Sequence, residues 1–151
     1  MENEGKIREN GEKMTFGNYS KDKFRVRSPV KSFRDLEVYQ KTIQLSSEIA
    51  QFDEKLREMA ERIPQLIAEA YGDKYDSKAI SHQKLTEATT LITDIITKID
   101  ILREKFKDDA QKKEILDKLL SRYHTQKIKV LNLRKAWDRV YIDSSRINEA
   151  K

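Results

Sequence analysis

The chain has 151 residues, of which 38% are charged, and it carries a formal net charge of +5. It contains no cysteine, which excludes disulfide bonds and cysteine metal sites. No apolar run approaches the roughly 18 residues that a membrane-spanning helix needs, and the opening MENEGKIREN lacks the apolar segment of a secretory signal. These features predict a cytoplasmic protein that does not bind membranes.

Residues 1–32 are predicted to form a flexible, basic N-terminal arm. They show no helical or strand periodicity, and three of the chain's four glycines lie there among charged residues, which is typical of a mobile tail. Phe16, Tyr19 and Phe24 are unusual for such a tail and are interspersed with lysines and arginines. The arm is therefore expected either to lie against its own domain or to become ordered on a partner.

Two helices are predicted next, because apolar residues begin to recur at steps of three and four, the spacing of one helix face. Ser32 is the expected N-cap of the first helix, which runs to about Phe52. Asp53 is the expected cap of the second helix, in which an interior proline, Pro64, predicts a kink. Gly72 is expected to end that helix in the left-handed conformation.

The third helix is predicted over residues 78–105. Its many threonines and isoleucines would allow a strand by propensity alone, but the apolar spacing persists for about six turns, which favours a helix. A fourth helix is expected to start after Asp108 or Asp109 and to run to about Ile142.

Each of these four helices carries one apolar stripe, and the stripes can be buried together if the helices face one another. The predicted fold is therefore all-α, an antiparallel up-down-up-down four-helix bundle over residues 33–151. Ile96 and Ile101 fall outside the main stripe of the third helix, so this helix is expected to contact two neighbours, either in its own bundle or in another subunit.

Nothing in the sequence specifies an enzyme, a metal or a cofactor. His82 and His124 lie on different helices without a carboxylate at helical spacing. Phosphate-binding loops, nucleophile elbows and the Glu-x-x-His pattern of di-iron bundles do not occur. Arg122 lies two residues from His124, so the two side chains point in different directions on a helix, which disfavours a ribonuclease pair.

The strongest functional signal is the basic segment 118–139, which contains seven lysines and arginines and a single acid, Asp138. An ordinary salt-bridged helix surface would carry glutamates at four-residue offsets, and the segment has none. A basic surface of this kind attracts a phosphate backbone through charge, with little reading of sequence. The predicted phosphate contacts are Arg122, Lys127, Lys129, Arg134, Lys135 and Arg139 in this segment, and Arg25, Arg27, Lys31 and Arg34 in or beside the arm.

Aromatic residues near the end of the fourth helix offer a second, weaker signal. Trp137 and Tyr141 are four residues apart and could stack on nucleobases if exposed. They also lie on the helix's apolar stripe, so packing in the core or against another subunit is the favoured interpretation.

Two sequence blocks resemble a known group of proteins. Residues 33–41, FRDLEVYQK, are similar to the first helix of the four-helix-bundle proteins encoded by intervening sequences in bacterial large-subunit ribosomal RNA genes, usually F-x-D-L-x-V-W/Y-Q-K. Ile63-Pro64 followed by residues 67–72, IAEAYG, resembles their I-P-x-x-I-A-E-G-F/Y-G. The accessory variability determinant proteins of diversity-generating retroelements belong to the same superfamily and often have a similar L-x-V-Y-Q-K start and an A-x-Y element.

The resemblance covers residues 33–105 and departs from the ribosomal-gene pattern at two points. The arginines that usually precede the I-P block are reduced to Arg62, and Ala70 stands where those proteins have glycine. These departures favour the retroelement branch.

The resemblance implies a non-enzymatic, self-associating bundle, commonly a pentamer, that binds nucleic acid through a basic surface. In the retroelement branch it also implies binding to template RNA and to a reverse transcriptase. The alternatives are a ribosomal RNA intervening-sequence protein, or an interaction scaffold whose basic helix docks on the acidic middle region of a neighbouring subunit. Charge alone does not distinguish RNA from DNA.

Overall fold

The computed structural model describes the backbone of residues 30–150 and the side chains of residues 30–139. This part of the chain contains no strand, and the all-α prediction is confirmed. A short 3-10 helix, Phe33–Asp35, precedes four α-helices, which are α1 (Glu37–Ile49), α2 (Glu54–Asp73), α3 (Lys78–Lys105) and α4 (Ala110–Ala150).

The four helices form a closed bundle. Each helix packs against the next one along the chain, and α4 returns to pack against α1. Contacts between α3 and α4 occur in reverse order along the two helices, since His82 meets Asp138 whereas Arg103 meets Asp117. This is the order of contacts between antiparallel neighbours, as in the predicted up-down-up-down topology.

The apolar stripes form one continuous core at the centre of the bundle. On α3, the side chains of Ile92, Ile95 and Ile99 have no exposed surface. Ile96 also packs against this core, but Ile101 is 63% exposed. Of the two residues expected to widen the apolar face of α3, only Ile96 is therefore used within the bundle.

The start of the first helix differs from the prediction. Ser32 is an N-cap as expected, and it forms a capping box with Asp35, but the box caps the 3-10 helix. Leu36 then takes an extended backbone conformation, and α1 begins at Glu37. The Asp35 carboxylate accepts hydrogen bonds from the amides of Lys31 and Ser32. Local side-chain bonds of this kind compete with helix formation, so the prediction of one continuous helix from Ser32 is wrong.

The predicted ends of the second and fourth helices also need correction. Gly72 lies inside α2, which continues to Asp73. The carbonyl of Asp73 accepts hydrogen bonds from the amides of Asp76 and Ser77, so the chain turns without a left-handed glycine. Helix α4 is capped by Asp109 as expected, but it runs to Ala150, beyond the predicted end.

The bounds of α3 agree with the prediction, and α2 passes through the buried Pro64. Pro64 has no N–H to donate to the carbonyl one turn earlier. The Pro64 ring lies on the buried side of the helix. It therefore stabilises the fold by packing in the core, although it cannot donate a backbone hydrogen bond.

Replacing Ile95 with alanine should lower the free energy of unfolding by about 2–5 kcal/mol, because it leaves a cavity in the centre of the core. Urea denaturation followed by circular dichroism measures this loss. Ile101→Ala is the matched control on the same helix, and its effect should stay within about 0.5 kcal/mol because the side chain is exposed. Equal losses in the two variants would contradict the described burial.

Candidate nucleic-acid interface

Two of the predicted phosphate contacts are neutralised by carboxylates of α1. Both guanidinium nitrogens Nη1 and Nη2 of Arg122 donate to Glu48, each at 2.6 Å, and the ammonium of Lys129 pairs with Glu37. The hydrogen bond from Arg122 lowers the pKa of Glu48 and raises that of Arg122 itself. The segment 118–139 lacks glutamates of its own, as noted above, but α1 supplies carboxylate partners to these two cations. Their prediction as free phosphate contacts is therefore wrong.

Lys118, in the first half of α4, also has an acidic partner. Its ammonium lies 3.4 Å from the carboxylate of Glu114, one turn earlier, and both side chains are exposed. Such exposed pairs are weak and are screened by salt. This pair therefore reduces, but does not remove, the positive charge of that turn.

The cations of α4 between residues 134 and 139, and Lys127 before them, remain available. Lys135 and Arg139 are exposed, lie one turn apart and form no ion pair with any residue in the described range. Lys127 is half-buried and likewise makes no ion pair there. Arg134 donates a hydrogen bond of 2.8 Å to the Thr86 hydroxyl of α3, which orients the guanidinium without neutralising it.

The arm residues are only partly visible in the structure. Arg25 and Arg27 lie outside the described residues, as does most of the predicted arm. Lys31 and Arg34 are exposed at the start of the domain. The Arg34 guanidinium lies 4.9 Å from the centre of the Phe33 ring.

An aromatic cluster at the α2–α3 turn was not predicted from the sequence. The Lys74 ammonium lies 4.3 Å from the ring centre of Tyr71, 4.8 Å from that of Tyr75 and 5.1 Å from that of Trp137. The rings of Tyr71 and Trp137 meet edge to face at 6.2 Å. Trp137 packs against the core, as favoured above, whereas Tyr75 is 81% exposed. The side chain of Tyr141 lies outside the described range.

The two histidines have different surroundings. Nδ1 of His82 lies 3.0 Å from a carboxylate oxygen of Asp138, which joins α3 to α4, whereas His124 is exposed. His82 and Asp138 line an open hollow of about 740 Å³ together with Tyr75 and Lys78. Among the described residues, no three His, Cys, Asp or Glu side chains are close enough to hold a metal ion.

Replacing Glu48 with glutamine should lower the free energy of unfolding at pH 7 by about 0.5–1 kcal/mol, the range for a partly exposed pair that solvent screens. Because Arg122 lowers the pKa of Glu48, the pair stabilises the fold above the pKa of the unfolded carboxyl. This stabilisation is lost as the pH falls through the lower folded pKa. Urea titrations of wild type and Glu48→Gln should therefore converge in acid.

Glu58→Gln provides the control for the loss of one negative charge. Glu58 is exposed on α2 and makes no ion pair with a residue in the described range. The free energy of unfolding of this variant should therefore equal that of wild type at every pH tested. If the free energy of unfolding of Glu48→Gln stayed below that of wild type by the same amount from pH 7 into acid, the pair would not stabilise the fold as inferred.

The chain matches no protein-family model, no curated protein and no solved structure. The resemblance described above therefore rests on its two sequence blocks alone. None of the helices described here has the length and apolar character needed to cross a membrane.

Proposed function

We propose that this chain is a non-enzymatic, cytoplasmic, nucleic-acid-binding bundle whose interface lies on the second half of α4. The supporting observation is that Lys135 and Arg139 are exposed without an ion pair among the described residues. Asp138, the single acid of the basic segment 118–139, is held by His82. The phosphate contacts assigned to this interface are Arg134, Lys135 and Arg139, together with Lys127, which lies two turns before Arg134 on the same helix.

Contacts of this kind depend on charge. Each phosphate that a lysine or arginine neutralises releases counterions, so affinity falls steeply as salt rises, with a logarithmic slope of about −0.7 per contact for a single strand. Such contacts position the strand but carry no sequence information. Four of them give an expected slope of about −3.

The two sequence blocks support a more specific role. We propose that the nucleic acid is the template RNA of a diversity-generating retroelement, and that the bundle acts as a homo-oligomer, a pentamer by resemblance, that also binds a reverse transcriptase. A reverse-transcriptase gene beside a template repeat, and co-purification of its product with this chain, would support this role. A ribosomal RNA gene surrounding the reading frame would favour the intervening-sequence branch instead.

The scaffold alternative has less support. It requires the cations of α4 to dock on the acidic middle region of a neighbouring subunit. Glu37 and Glu48, which belong to that acidic region, already engage Lys129 and Arg122 within one chain. This arrangement reduces the charge available for docking between subunits and leaves the second half of α4 to an external polyanion.

Removing both Lys135 and Arg139 side chains by alanine substitution should weaken binding to a labelled single-stranded RNA about tenfold. It should also make the salt slope shallower by about 1.4, since two phosphate contacts are lost. Fluorescence anisotropy at several salt concentrations measures both quantities.

Lys113→Ala combined with Lys118→Ala removes the same charge from the first half of α4 and should change the affinity about twofold at most. If the two double variants lose affinity equally, net charge rather than the second half of α4 is responsible. If wild type fails to bind RNA or DNA at low salt, the proposed function is wrong.

A further inference from the structure

We infer that the bundle end formed by the α2–α3 turn and the second half of α4 binds single-stranded nucleic acid by stacking one base on Tyr75. This inference rests on the proposed function and specifies which form of nucleic acid the same interface takes.

Tyr75 has the geometry of a stacking platform. Its side chain is 81% exposed, and the Lys74 ammonium lies over the ring at 4.8 Å from its centre. With a cation above one face, an exposure this high leaves the opposite face open to solvent. Every nucleobase has a flat π-face, so a single exposed ring can accept any base.

Lys74 fixes the position of this ring relative to α4. Its ammonium contacts the rings of Tyr71 and Trp137 as well as that of Tyr75. Cation–π contacts within about 6 Å are attractive. Lys74 therefore links the loop between α2 and α3 to the part of α4 that contains Trp137. Arg134 lies one turn before Trp137 on the same helix and lines a small pocket together with Lys74 and Trp137. This places one of the predicted phosphate contacts beside the platform.

The charges in the neighbouring hollow favour a base over a phosphate. Two carboxylates, Asp76 and Asp138, and one ammonium, Lys78, line this hollow with Tyr75. Carboxylates repel phosphate but accept hydrogen bonds from the amino groups of bases. His82 and Ser77 line the same hollow and add further polar groups. A base edge therefore fits the hollow, while the backbone phosphates lie outside it on the cations of α4.

A base can reach Tyr75 only if it is free to leave its own stack. In a duplex the bases are paired and stacked, and proteins recognise duplex RNA mainly by its shape, its hydroxyls and its phosphates. Single strands offer unstacked bases to aromatic side chains. The exposed ring thus favours a single strand over a duplex of equal charge.

The test compares three ligands by fluorescence anisotropy: a 12-nucleotide single-stranded RNA of mixed sequence, a duplex with the same number of phosphates and a 12-unit abasic strand. Wild type should bind the single strand about tenfold more tightly than either of the others. Tyr75→Ala should weaken single-strand binding by about 5- to 100-fold and leave its salt slope unchanged. Tyr75→Phe keeps the ring and should stay within about twofold of wild type.

Trp137 is the chain's single tryptophan, and it provides a local readout. Its fluorescence should change when the single strand binds to wild type, and this change should be lost in Tyr75→Ala. Circular dichroism checks that each variant is folded. We expect both to fold, because the substituted residue is exposed and lies in a turn.

The two proposals fail in different ways. If wild type binds none of the three ligands at low salt, the proposed function fails, and the stacking inference with it. If wild type binds but Tyr75→Ala matches it, or if the duplex or the abasic strand binds as tightly as the single strand, only the stacking inference fails. Replacing Lys135 and Arg139 with alanine should weaken the binding of all three ligands, because each ligand has a phosphate backbone.

Discussion

Burial of the apolar stripes determines which side of each helix remains in contact with solvent. The candidate interface depends on which side of α4 is exposed in this way. On α4, Leu119, Tyr123 and Val130 point into the core. A helix that buries one stripe must expose the opposite one, and in the second half of α4 the exposed stripe carries Lys135 and Arg139. The same packing that forms the core therefore directs these cations outward.

The ion pairs across the bundle distinguish two groups of cations on α4. The first half is tied to α1 by the fork between Arg122 and Glu48 and to α3 by the pair of Arg103 and Asp117. Partly exposed pairs such as these contribute modestly to stability, but they remove positive charge from the surface. The net charge of the whole segment does not reveal which of its cations have a carboxylate partner and which, such as Lys135 and Arg139, have none among the described residues.

Features set by neighbouring residues could be predicted from the sequence. The apolar spacing of α3, which no turn residue interrupts, predicts its bounds. Asp53, and Asp109 as one of two candidates beside Asp108, can be recognised as caps because capping acts over three residues. The break at Leu36 escaped prediction because the capping box of Ser32 closes a 3-10 turn just before it.

Features that join distant parts of the chain could not be predicted in the same way. Glu48 and Arg122 are 74 residues apart, and the periodicity that predicts a bundle does not give the register between its helices. The cluster around Lys74 likewise joins the α2–α3 turn to Trp137. The charge count of α4 therefore predicts a basic helix, but only the helix register shows which of its cations have partners.

The unequal lengths of the first and last helices have a consequence for the motions of the molecule. At 1.5 Å per residue, the 13 residues of α1 span about 20 Å and the 41 residues of α4 about 60 Å. Glu37, the first residue of α1, pairs with Lys129, so α4 continues for some twenty residues past that helix. This extension has no α1 beside it, so its amide hydrogens are expected to exchange with solvent faster than those beside α1. Local opening would therefore be concentrated at the end of the bundle that is proposed to meet nucleic acid.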